Sequence, residues 1–303
     1  MSVSLATKYR PQMLRDFLGN ENTTSALRSM MEREEIPHTL LFTGPSGCGK
    51  TTLARIVAKR LKCSEHDLQE LNTADFRGID TIRDVIRNMS LCPMSGTCRV
   101  WILDEVHQIS KDGQHALLKA LEDTPKHVYF LLSTTEPEKL LHTIRTRCVT
   151  FDVKPLSDKL MDVLLKTVIQ KEGVDNVPQE TLDQIVQDSL GSARMALSIL
   201  DKVVNMDPAD MLVAAKQQAS QTNVAIDLCR ALIGKRPWRE ISKIIQGLDQ
   251  EPESVRRAVL GYASAVLLKS GQPQAYVVLD CFRQDFFTTG KSGLTMSAYA
   301  AVS

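Results

Sequence analysis

Residues Gly44-Pro45-Ser46-Gly47-Cys48-Gly49-Lys50-Thr51 follow the pattern GxxxxGK[ST], and their neighbours leave few folds open to this chain. Directly before them runs TLLFT (39–43), a continuous apolar stretch of strand length. Directly after them TTLARIVAKRL has helical periodicity. Strand, glycine turn and helix in that order make the first half of a parallel βαβ unit. The glycines let backbone amides turn inward around phosphate oxygens at the helix amino terminus. Gly44, Pro45, Ser46, Gly47, Cys48, Gly49, Lys50, Thr51 and Thr52 are therefore expected to cradle the phosphates of ATP. Lys50 would face the β and γ phosphates, and Thr51 would place its hydroxyl on Mg2+. A chance glycine turn before a helix is the competing reading, and the ordered context argues against it.

The pattern repeats through the first half. After TLLFT come the weaker run LQELN (68–72), then RVWILDE (99–105), VYFLLSTT (128–135) and VTFDV (149–153), with helical segments such as QHALLKALED between them. Continuous apolar strands alternating with helices predict an α/β fold with a parallel sheet covered on both faces. Beyond Val153 the strand signals stop. Helical patterns follow at SDKLMDVLLKTVIQKEG, PQETLDQIVQDSLG and SARMALSILDKVVN, punctuated by Gly173, Pro178 and Gly191. The stretch MDPADM (206–211) reads as a boundary. Past it, helices are expected at NVAIDLCRALI, PWREISKIIQGL, ESVRRAVLGYASAVLLKS and QPQAYVVLDCFRQDFF. The expected division is an ATPase domain at 1–154, a helical lid at 155–207 and a helical collar at 208–303.

Composition narrows the function. With 37 basic and 36 acidic residues the net charge is +1, so any DNA contact must come from a local patch or from patches summed over subunits. Aromatic residues make up only 5%, which argues against a base-stacking platform. The cysteines at 48, 63, 92, 98, 148, 229 and 281 form no disulfide framework, and Cys92 and Cys98 lack the spacing of a zinc site. No apolar run reaches the ~18 residues of a membrane span, and the amino terminus lacks a signal-peptide core. A reducing, cytoplasmic location with no membrane partner is the expectation.

Three further features bear on chemistry. Val100-Trp101-Ile102-Leu103 is an apolar strand ending in Asp104-Glu105, which sets two carboxylates at the ligand edge of the sheet. Asp104 would bind Mg2+ and Glu105 would polarise the attacking water; a helix-capping turn is the blander explanation of such a pair. VYFLLSTT ends in hydroxyls, and a third parallel strand beside the two motif strands would aim Thr134 or Thr135 at the γ phosphate. Arg147 in IRTRCVTF and Arg194 in GSARMALSIL cannot be interpreted from spacing alone, because surface arginines are usually solvated.

Together these segments resemble the AAA+ clamp-loader ATPase subunits: replication factor C small subunits, the bacterial DNA polymerase III tau/gamma subunit and the phage clamp-loader ATPase. The resemblance is carried by KYRPQMLRDFLGNE, LNTADFRGIDTIRDVI, DEVHQIS, STTEPEKLLHTIRTRC and GSARMALSILD, in unbroken order over about residues 5–205. It implies an ATP hydrolase with Lys50, Glu105, Thr135, Arg147 and Arg194 as its catalytic set. Lys8, Tyr9, Pro11 and Leu18 would line the adenine pocket. Thr135 would sense the γ phosphate from the sheet and Arg194 from the helical lid. Arg147 would act as an arginine finger on the neighbouring subunit, which implies an oligomer, pentameric in this family. The implied partners are other loader subunits, a sliding clamp and primer-template DNA.

Two departures from the family pattern are visible. Thr146 stands where the family has serine before the finger, and the cysteine zinc module of bacterial tau/gamma subunits is missing. The second tilts the chain toward a phage or otherwise minimal loader, in a bacterial or phage-infected cytosol. Arg77, Arg83, Arg87 and Lys111 are the candidate DNA contacts, against a solvated helical face paired with Asp80 and Asp84. Gln114 is a candidate coupler between DNA and Glu105. Met89, Leu91 and Met94 are either clamp-facing or core residues. Two rival functions are weighed: a branch-migration helicase or related AAA+ DNA motor, and a non-catalytic subunit that holds nucleotide to stiffen an assembly. The Thr-Arg-Cys segment counts against the first. Intact Lys50, Thr51, Asp104, Glu105 and Arg147 count against the second.

Overall fold

The computed structural model describes residues 3–73, 78–174, 176–222, 224–248 and 250–303. The chain divides into two compact units. One comprises residues 9–157 and the other residues 1–8 together with 158–303. Short helix α1 (Leu5–Lys8) thus joins the helical unit, where it packs on a later helix.

The unit of residues 9–157 is built on a five-stranded, wholly parallel sheet. Its strands are β1 (Thr39–Thr43), β2 (Leu68–Asn72), β3 (Arg99–Asp104), β4 (Val128–Thr134) and β5 (Val149–Asp152), in the spatial order β2-β3-β4-β1-β5. The expected α/β class is what the structure shows. Helices α2 (Glu21–Glu32), α3 (Lys50–Arg60), α4 (Ile79–Met89), α5 (Lys111–Glu122) and α6 (His142–Thr146) accompany the sheet. Two apolar layers hold it. Leu40, Phe42, Val100, Ile102 and Leu131 pack with α2 and α3, while Leu41, Trp101, Leu103, Phe130 and Leu132 pack with α4, α5 and α6. Alternate residues of β1 therefore feed opposite layers, which is why Leu40, Leu41 and Phe42 are apolar in succession. β4 lies between β1 and β3, so the strand with the terminal hydroxyls does separate the two motif strands.

Beside this sheet Asp67 is wholly buried. Burial alone would raise its pKa. The Ser64 hydroxyl and the amides of Met94, Ser95 and Gly96 outweigh that and hold the carboxyl well below its ordinary range. Arg99 lies 3.7 Å away. Because the folded-state pKa is depressed, this group stabilises the fold above the unfolded carboxyl pKa near ~4, and the contribution is lost on acidification. Asp67→Asn is expected to cost roughly 2 kcal/mol at neutral pH. In urea melts the gap to the wild type should narrow as pH falls below about 4; a gap independent of pH would contradict this account.

The second unit is all helical: α7 (Asp158–Glu172), α8 (Gln179–Ser189), α9 (Ala193–Val203), α10 (Pro208–Thr222), α11 (Val224–Ile233), α12 (Trp238–Gln246), α13 (Pro252–Ser270), α14 (Pro273–Cys281) and α15 (Gly290–Ala300). The boundary read at 206–211 coincides with the start of α10, which packs on α8 and α9 as well as on α11. A buried ion pair between Asp188 of α8 and Arg230 of α11 crosses the same place. The division of this part into lid and collar stands as a proposal. Among the described residues no helix is long and apolar enough to cross a membrane.

Candidate active site

The carboxyl ends of β1, β3 and β4 lie side by side, the position at which open parallel sheets bind ligands. From β1 the chain enters the glycine loop through Gly44, whose φ is +136°. A Cβ there would stand 2.1 Å from the carbonyl oxygen of Val153, so only glycine fits. Gly49, at φ +102°, is the residue before α3; its Cβ would fall 2.7 Å from the ring of Phe17. Both positions need glycine for conformation and for space, and together they shape a backbone cradle at a helix amino terminus.

Lys50 is buried. Its Nζ donates to the carbonyls of Gly44 (2.8 Å) and Pro45 (2.9 Å), folding the side chain along the loop. The Thr51 hydroxyl donates to Asp104 Oδ2 at 2.8 Å. A hydroxyl and a carboxylate so close are the hard oxygen donors Mg2+ prefers, and the cradle a Cβ would fill is shaped for phosphate. The residues fit the ATP and Mg2+ that the sequence implies. Burial pushes the Cys48 thiol up despite the nearby Lys50, so this loop position presents no thiolate.

Glu105 follows Asp104 in the left-handed region, φ +51°. The Thr73 hydroxyl is 2.7 Å from the carbonyl of Glu105 and 3.0 Å from that of Asp104, which pins the turn. The Thr135 hydroxyl donates to Glu105 Oε2 at 3.0 Å. Of the two threonines considered, Thr135 is thus the one on Glu105. Thr134, fully buried, lies 2.9 Å from His107 Nδ1 instead.

The other sequence candidates fall as follows. Arg147 terminates α6; its guanidinium pairs with Glu122 at the end of α5 and donates to the Thr143 carbonyl at 3.1 Å. Cys148 beside it is pushed up to about 12 by burial and donates to the Ile144 carbonyl. Tyr9, Pro11 and Leu18 are half-buried in the sheet unit. Lys8 belongs to the helical unit and pairs with Glu172 at 2.7 Å. Arg194 is exposed in the first turn of α9, also in the helical unit.

Of the candidate DNA contacts, Arg77 lies outside the described residues. Arg83 and Arg87 are exposed and paired with Asp80 (3.0 Å) and Asp84 (3.3 Å), the solvated arrangement that was the competing reading. Lys111 is exposed at the first position of α5, where Ser110 caps the helix through Gly113 N. Gln114 is buried and spends its amide on backbone groups of Ile109, Lys139 and Leu141 rather than on Glu105. Met89 packs in the core, whereas Leu91 and Met94, just past α4, are exposed.

Sequence reasoning passed over Phe17, Thr73 and His107. Phe17 sits one position before Leu18 in a segment already singled out, and His107 sits inside DEVHQIS, so position within those segments was the available signal. Thr73 carried none.

Among solved structures the fold resembles RuvB of Thermotoga maritima. One RuvB mutant matches at 20% identity and a TM-score of 0.61, covering 88% of this chain and 91% of that one. The structure titled as a Holliday junction branch migration motor matches at 20% and 0.60, covering 86% and 88%. At that identity the likeness speaks for the fold alone: a parallel α/β sheet unit with a helical unit beside it in sequence. Sequence comparison goes further. A family model described as DNA polymerase III, delta subunit, matches residues 72–157. The tau subunit of Escherichia coli DNA polymerase III is 34% identical over 221 residues, 66% of this chain and 34% of that protein. The gamma/tau subunit of Mycobacterium tuberculosis is 33% identical over 225 residues, 67% and 39%. The gamma subunit of Buchnera aphidicola is 31% identical over 223 residues, 67% and 62%. The chain resembles the clamp-loader AAA+ subunits, as its motifs led one to expect, and it spans 34–62% of the length of these relatives.

Proposed function

We propose that this chain is an ATP-hydrolysing motor subunit of a sliding-clamp loader. ATP binding would open a ring-shaped polymerase clamp, and hydrolysis triggered by primer-template DNA would release it. The observation that carries the reading is the meeting of Thr51, Asp104, Glu105 and Thr135 at the strand ends beside a glycine cradle, in a chain whose relatives are DNA polymerase III tau and gamma subunits.

Each side chain has a role in that chemistry. Backbone amides of Gly44–Thr52 hold the phosphates of the substrate, and Lys50 turns its Nζ from the loop carbonyls onto them. Thr51 and Asp104 would hold Mg2+, which when bound offsets charge on the phosphate oxygens. Glu105 accepts the proton of the attacking water, and Thr135 orients Glu105 and reads the γ phosphate. Arg194 would read the γ phosphate, as the clamp-loader resemblance implies. Arg147 serves the site of the neighbouring subunit, so hydrolysis requires assembly, taken here as a pentameric ring. Tyr9, with Lys8, Pro11 and Leu18, holds the adenine. Arg83, Arg87 and Lys111 follow the DNA backbone, their small charge being summed over the subunits.

Steady-state turnover of Mg-ATP by the full chain with its partner subunits tests this reading. Primer-template DNA and the cognate clamp together are expected to stimulate turnover beyond the product of their separate effects. Indifference to the clamp, with stimulation by branched DNA, would move the assignment to the branch-migration motors whose fold the chain shares.

A further inference from the structure

The imidazole of His107 is enclosed. The residue is 8% exposed, and each ring nitrogen lies near a glutamate: Nδ1 is 3.3 Å from Glu105 Oε2, and Nε2 is 3.3 Å from Glu136 Oε1. Thr134 Oγ1 lies 2.9 Å from Nδ1 and also accepts the amide of Glu136 at 3.0 Å, so strand, turn and imidazole are locked together. Gln108 Nε2 lies 2.8 Å from His107 Nε2, and Lys139 Nζ is 2.7 Å from Glu136 Oε2. A polar ring buried among apolar strands costs free energy unless its nitrogens are used. Here both are used, Nδ1 on Thr134 and Nε2 on Gln108, and the Nδ1 edge also faces the carboxylate that the chemistry needs.

We propose that His107 is a positioning residue for Glu105. This rests on the reading of Glu105 as the group that activates water. Glu105 follows the strand in a left-handed turn, at φ +51°, that residues with a Cβ seldom adopt. That turn brings the side chains of residues 105 and 107 within reach of each other. The Thr135 hydroxyl and the His107 Nδ1 converge on the same oxygen, Oε2. Both restrain the carboxylate at that oxygen. Thr135 comes from β4's end and His107 from the turn after β3, so the carboxylate is held from two separate segments. A misplacement of ~1 Å at such a group is worth as much as 10²-fold in rate. Glu136 in turn anchors the far side of the ring, and its own partner Lys139 holds it in place.

The test compares His107→Leu, His107→Asn and Glu105→Gln in the full chain, with Mg-ATP and primer-template DNA under conditions where the wild type turns over. His107→Leu should lower kcat by about 10–100-fold, as loss of a group that orients a reactive one typically does, with KM for ATP and ATP affinity unchanged. His107→Asn, whose amide can donate from near the Nδ1 position, should restore most of kcat. Wild-type kcat in His107→Leu overturns the proposal, and so does a joint loss of kcat and affinity that Asn fails to rescue. A readout independent of turnover is the ¹⁵N signal of the His107 ring in the nucleotide-free chain. It should move in Glu105→Gln, and a signal that stays put overturns the contact even if the leucine variant does not fold. Unaltered turnover in Glu105→Gln would instead remove Glu105 as the water-activating group, and the positioning role would fall with it.

Discussion

Arg147→Ala is expected to lower turnover of the assembled protein by about 10³-fold or more, the range measured where an arginine supplied in trans stabilises a transferring phosphoryl group. Affinity for ATP should stay at its wild-type value. Among the described residues the partners of the Arg147 guanidinium are Glu122 and the Thr143 carbonyl, at the junction of α5 and α6, and none of Lys50, Thr51, Asp104 or Glu105 is among them. Loss of that exposed ion pair costs at most about 1 kcal/mol, so the melting temperature should barely change. Cys148, half-buried and bonded to the Ile144 carbonyl, keeps the end of α6 packed when the arginine is gone. Turnover and ATP affinity measured side by side decide the matter. An equal loss of both would place Arg147 on its own chain's nucleotide and remove the need for a neighbour.

Much of this site could be read directly from residue spacing, for a physical reason. Gly44, Lys50 and Thr51 lie within one loop and its helix, and Asp104 and Glu105 close one strand, so the covalent chain already places the groups that must act together. The strand end left Thr134 and Thr135 open, and only the family resemblance singled out Thr135; in the structure it is Thr135 that bonds Glu105. His107 and Thr73 were not legible. Their partners are Thr134 and Glu136 in the one case, and the carbonyls of Asp104 and Glu105 in the other. Those contacts span about thirty residues, and periodicity says nothing about them. The same limit governs the helices. α15 carries Gly290, Gly293 and hydroxyl residues that disfavour helix locally. It forms because Leu294 and Ala298 bury themselves and Gly293 lets Phe286 approach, where a Cβ would meet that ring at 2.9 Å. α14 stops at Cys281 instead of running to Phe287, since Phe282 and Phe286 both turn into the core, their rings 5.9 Å apart.

Glu105→Gln should abolish DNA-stimulated turnover, by roughly 10²–10⁴-fold if only a general base is removed, while ATP binding persists. The substitution is close to isosteric. The Thr135 hydroxyl can still donate to the amide oxygen, so the turn at φ +51° is kept, with the Thr73 hydroxyl on the Glu105 carbonyl and the Thr73 amide on that of Asp104. Asp104 is untouched, and so is its contact with Thr51. What disappears is the ability to take a proton from water, because an amide has no basic lone pair at neutral pH. A parallel Thr135→Val keeps that basicity and frees the carboxylate from one of its two restraints; its loss should be smaller than that of Glu105→Gln. If Thr135→Val were the more damaging change, the threonine would be acting on the γ phosphate rather than through Glu105. Were turnover in Glu105→Gln to match the wild type, the basic group would have to be sought elsewhere. A further carboxylate of this network, apart from Asp104, is Glu136 on the opposite side of the same imidazole.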